Sequence, residues 1–115
     1  MPSFHAVVLL DHQEAHMLMF DREHVELESI NSRSHHKHEG LSHETTNFFV
    51  DVSKSLIGTH EVLLTGPGIA RNEFRNWCEK HSLPIANVVL DSIASDHPTD
   101  AQVVAMARQY FKKLI

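Results

Sequence analysis

Cysteine is almost missing from this chain: Cys78 stands alone, so no internal disulfide can form and a reducing cytoplasm is the expected setting. Long apolar runs are missing too, since nothing approaches the roughly 18 residues of a membrane span. The opening Met1-Pro2-Ser3-Phe4-His5 carries no basic region, and the apolar run at 6–10 is too short for a signal segment, so no secretory route is expected. Net positive charge is also lacking. A formal charge of −5 excludes a generic basic coat for nucleic acid and confines any RNA contact to a local patch. Glycine and proline number four each, and three of those eight residues are spent in one turn, Gly66-Pro67-Gly68.

What the chain has in excess is histidine. Four of its 11 histidines (His35, His36, His38, His43) crowd the run Asn31 to His43, together with Arg33 and Lys37. The run has no aliphatic residue before Leu41 and no hydrophobic period, so residues 31–43 are expected as an exposed loop. Three readings of it stay open. Arg33, Lys37 and protonated His35, His36 and His38 make a set of donors for phosphate, hence a candidate RNA contact. Imidazoles also suit zinc, nickel or copper, so His35, His36, His38 and His43 form an alternative metal set, though structural zinc sites usually include thiolates. The third reading is a solvated connector without a ligand. With a reference histidine pKa of about 6.5, the loop gains charge as pH falls below neutral.

The rest is densely patterned and long enough for one domain over residues 1–115. Phe4–Leu10 is near-continuously apolar, as a central strand covered on both faces should be, and Leu9→Asp is therefore expected to prevent folding. Ala15–Phe20 returns as a second strand, and His24–Ile30 alternates Val25 and Leu27 with Glu26 and Glu28, as an edge strand does. Phe48, Phe49, Val52 and Leu56 recur at helical spacing, with Ser42 the expected N-cap. Glu61–Thr65 reads as a strand, and Ala70, Phe74, Trp77, Cys78 and His81 as one helix face. Pro84 ends that segment; Ile85–Leu90 reads as a further strand, and Thr99-Asp-Ala-Gln102 as a capping box opening the last helix. No internal repeat is present. The order β-β-β-α-β-α-β-α predicts an α/β domain, a ribonuclease-H-like five-stranded mixed sheet in order 3-2-1-4-5 with three helices. The edge strand leaves a homodimer open.

Other candidate sites are weaker. Gly66-Pro67-Gly68 could hold a phosphate at a helix start, but neither P-loop nor dinucleotide spacing follows and Pro67 removes a donor, so a tight connection is expected. A two-metal nuclease would need converging carboxylates, whereas Asp11 and Glu61 fall at opposite ends of parallel strands. Cys78 with His81 as its base is outweighed by core packing along Phe74 and Trp77. His12 and His16, if both on one strand face, would stand about 13 Å apart, too far to share an ion. No cofactor is expected, and no enzymatic activity.

His5-Ala-Val-Val-Leu-Leu-Asp11 with Glu14-Ala15, and Val62-Leu-Leu-Thr65-Gly66-Pro67-Gly68 with Glu73-Phe74, add a further reading. These stretches resemble the middle domain of archaeal and eukaryotic peptide-chain release factors and of Pelota. Stand-alone bacterial versions, known as translational machinery proteins, are similar as well. The resemblance runs over residues 4–113 and implies a ribosome or ribosomal RNA as partner. In release factors the loop after the third strand carries a Gly-Gly-Gln motif that promotes peptidyl-tRNA hydrolysis. Here only Gly40 stands in that loop, between Glu39 and Leu41, as Pelota too lacks the motif. The resemblance thus implies RNA contact through Arg33, His35, His36, Lys37, His38 and Gly40, in termination, rescue or stress, without hydrolysis.

Overall fold

The computed structural model describes residues 5–20, 25–31, 41–96 and 98–112. Along them run β1 (His5–Leu10), β2 (Glu14–Phe20), β3 (Val25–Asn31), α1 (Leu41–Ser55), β4 (Glu61–Gly66), α2 (Ala70–His81), α3 (Leu83–Ala86), β5 (Val89–Ala94) and α4 (Asp100–Lys112). The strands form one sheet in the order β3-β2-β1-β4-β5. β1 pairs antiparallel with β2 and parallel with β4, and β4 is parallel to β5. This is the expected mixed, ribonuclease-H-like sheet.

Successive strand side chains point to opposite faces, and here both faces are covered. Ala6, Val8 and Leu10 of β1 join Ala15, Met17, Val62 and Leu64 beneath Phe48, Phe49, Val52, Phe74 and Cys78 of α1 and α2. Val7 of β1, with Leu18, Phe20 and Leu63, faces Val103, Ala107 and Phe111 of α4. The near-continuous apolar run in β1 follows from that double cover. Thr65, buried within β4, donates its hydroxyl to Ile93 O at 2.7 Å and so loses no hydrogen bond. The capping box forms as expected: Thr99 N donates to Gln102 Oε1 (2.9 Å) and Gln102 N to Thr99 Oγ1 (3.1 Å).

Some expectations need correction. Four helices, not three, occur among the described residues, because Leu83–Ala86 forms a short helical turn. Pro84 does not end helical structure; it lies in the first turn of α3, where its missing N–H is not needed. β5 therefore begins at Val89, and Ile85 enters the core from α3 rather than from a strand. Helix α1 begins at Leu41, so Ser42 is inside it rather than capping it, and Leu41–His43 leaves the loop. Leu9 is only half-buried, packed at the edge of the α4-side core, whereas Ala6, Val7, Val8 and Leu10 are fully buried, so a charge at Val8 is the stricter test of the strand. No helix among the described residues is long and apolar enough to cross a membrane.

Candidate functional site at the carboxyl ends of the central strands

In open α/β sheets, ligands bind outside the carboxyl ends of parallel strands. β1 and β4 end side by side, and the turn after β1 is built by Asp11, whose Oδ1 accepts Gln13 N at 2.7 Å and Glu14 N at 2.8 Å. That local hydrogen bonding starts the return into β2. From the turn, the His12 ring pairs through Nε2 with Glu73 Oε1 of α2 at 2.6 Å. Further along, Glu14 and His16 share a strand face. His16 places Nε2 at 2.6 Å from Glu14 Oε1 and Nδ1 at 2.9 Å from Asp100 Oδ1, the first residue of α4. A cavity of about 150 Å³ opens beside it, lined by Leu9, Leu10, Asp11, Glu14, His16, Pro67 and Pro98.

The hydrogen bond to Asp100 raises the His16 pKa above 6.5; burial opposes the shift, and Glu14 adds to it. An imidazolium between two carboxylates can donate through both nitrogens, whereas a neutral ring can donate through one. Both donors are committed within the protein, so the arrangement is a fastening rather than an acid aimed at a substrate.

The expected sites separate cleanly in space. His12 and His16 serve different elements, α2 and α4. Asp11 follows the end of β1 while Glu61 pairs with His5 at its start, so those acids lie at opposite ends of the strands. Gly66 backs directly onto the Leu10 carbonyl, which makes Gly66-Pro67-Gly68 the expected tight connection. Arg33, His35, His36, Lys37, His38 and Gly40 lie outside the described residues. The roots of their segment are described: Asn31 pairs with Glu14 at the end of β3, and Leu41 opens α1. β3 thus ends with Asn31 paired to Glu14, which lines the cavity, and His43 belongs to α1. No group of three or more His, Cys, Asp or Glu among the described residues is arranged to hold a metal ion.

Two features escaped the sequence. The His16 fastening had only a faint signal, Glu14 and His16 two apart on a strand, and its other half is 84 positions away. Arg71, placed off the buried face, has Nε and Nη1 buried with no hydrogen-bond partner.

Cys78 is fully buried, and burial pushes its thiol up to about 12. Its thiolate fraction at pH 8 is then about 10⁻⁴, so native protein should react with a thiol reagent at least ~100-fold more slowly than unfolded protein. Equal rates in buffer and in denaturant would show that the thiol is exposed.

No protein-family model matches the sequence. No curated protein matches it either. Solved structures do. Pelota of Archaeoglobus fulgidus superposes with a TM-score of 0.69 at 13% identity, covering 95% of this chain and 32% of its own. The archaeal translation termination factor aRF1 gives 0.58 at 12% identity, over 96% of this chain and 39% of its own. The fold is that of one domain of Pelota and of this release factor. Pelota of Thermoplasma acidophilum agrees, with a TM-score of 0.66 at 18% identity over 89% of this chain and 31% of its own. The resemblance read over residues 4–113 therefore holds at the level of fold. The chain spans between 31% and 39% of these Pelota and release-factor chains, as a single domain of each would.

Proposed function

We propose that this is a ribosome-associated domain of the release-factor type, acting in the cytoplasm in termination, rescue or stress, that contacts RNA through loop 31–43 and does not hydrolyse peptidyl-tRNA. The observation that carries the reading is the shared fold with an archaeal translation termination factor over 96% of the chain. Two sequence features refine it. The segment between β3 and α1 concentrates Arg33, Lys37, His35, His36 and His38 in a chain whose net charge is −5, so attraction to a polyanion must be local. The same segment has one glycine, Gly40, where the Gly-Gly-Gln motif would need two, which supports binding without hydrolysis. Backbone phosphate is the recognised group, engaged by guanidinium, ammonium and imidazolium donors.

The test is co-sedimentation with ribosomes across salt and pH. Arg33→Ala with Lys37→Ala should weaken binding while leaving the melting temperature nearly unchanged. For each phosphate the variant no longer neutralises, the slope of log affinity against log salt should flatten by roughly 0.7–0.9. Binding should strengthen from about pH 7.5 to pH 6 as loop imidazoles charge. If folded wild-type protein stays in the supernatant at low salt and pH 6, the ribosome reading is wrong.

A further inference from the structure

Strand β2 and helix α4 lie far apart in the chain, yet one side chain fastens them near the end of β3. His16 reaches Asp100 at the start of α4 through Nδ1 and Glu14 of its own strand through Nε2. Glu14 in turn pairs across the ladder with Asn31, the last residue of β3 before the loop. We propose that His16 is a proton-operated clasp, closed when the imidazole carries both protons, that ties the root of the loop to the amino end of α4.

The charges around the ring require the proton. Glu14 of β2 and Asp100 of α4 hold the ring from two sides, and Asp11 of the β1–β2 turn lines the same cavity as Glu14 and His16. The residues opposite His16 on the neighbouring strands are Leu9 of β1 and Ser29 of β3, neither of which is charged. Pro67 and Pro98 complete the lining. No other cation faces the ring from these residues. With the second proton bound, the imidazolium donates to both carboxylates and offsets their repulsion. Once it leaves, one ring nitrogen turns a lone pair toward a carboxylate oxygen less than 3 Å away, and two carboxylates flank a neutral ring. Glu14, 49% exposed, turns into water at little cost, so the side-chain link from Glu14 through His16 to Asp100 opens at its Glu14 end.

The sign follows from the raised folded-state pKa. Stabilisation by the clasp is complete below the unfolded value of about 6.5 and fades as pH rises through the higher folded value. The clasp stands or falls independently of RNA binding, because its test needs no RNA.

Melting temperatures at pH 6 and pH 8 should be compared for wild type, His16→Gln, Asp100→Asn and Glu14→Gln. Between pH 6 and pH 8, wild type should lose roughly 3–5 °C more than His16→Gln does. The two acid variants should lose less than wild type. The other histidines contribute to every protein alike and drop out of the difference. In parallel, the His16 ring resonance followed by NMR should titrate at lower pH in Asp100→Asn than in wild type. An equal pH loss in wild type and His16→Gln, or an unchanged His16 midpoint in Asp100→Asn, overturns the clasp.

Discussion

Val8→Asp is expected to yield no soluble folded protein. Val8 is fully buried at the middle of β1, between Met17 of β2 and Leu64 of β4, with α1 and α2 closing over that face. An aspartate there meets only apolar neighbours and backbone already engaged in the ladder. Burying an unpaired carboxylate, or protonating it to avoid the charge, costs several kcal/mol, and the lost valine packing adds about 1 or more. A domain of this kind is stable by only about 5–15 kcal/mol, so one such change consumes much or all of that margin. Soluble yield and far-ultraviolet circular dichroism report the outcome. Leu9→Asp is the control, because its side chain is half-buried beside a cavity and the carboxylate can reach water, so its effect should be smaller. A Val8→Asp protein melting like wild type would show that β1 is not the centre of the sheet.

The second large effect is expected at Gly66. Its φ is +138°, a backbone region L side chains rarely adopt, and an added Cβ would stand 2.2 Å from the Leu10 carbonyl oxygen. That oxygen belongs to the neighbouring strand end rather than to a movable side chain, so relief requires β1 and β4 to separate. Backbone strain and overlap together should cost Gly66→Ala at least about 3 kcal/mol, a fall in melting temperature of roughly 10 °C or more. Gly68→Ala, two residues on, separates the two causes. Gly68 also has positive φ, +66°, but a Cβ there meets nothing within 4 Å, so only the conformational cost of about 1–2 kcal/mol remains. Equal losses at the two glycines would show that the close approach to Leu10 contributes nothing.

That close approach also explains how much of the chain is legible from its residues. Gly-Pro-Gly reads as a turn by composition, but only the parallel pairing of β1 with β4 shows why the first glycine cannot carry a side chain. The error around Pro84 has the same origin. Ile85 to Leu90 is apolar enough for a strand, and periodicity cannot tell a short buried strand from a buried helical turn. Docking of α3 against the core under α2 decided for the turn. The candidate loop was visible because it breaks the pattern around it, a property of composition that needs no partner.

What the sequence determined by itself is what depends on neighbours close along the chain. The double-faced apolar character of β1, the helix stripe through Phe74 and Cys78, the Thr99–Gln102 cap and the succession of strands along the chain all follow from periods and spacings within a few residues. Only the tertiary structure decided which histidine meets which acid. His12 turns to Glu73 and His16 to Asp100, 61 and 84 residues away, because strand register and helix docking set those distances. A proton on His16 matters to this fold because packing brought two carboxylates to one ring, and no local pattern encodes that encounter.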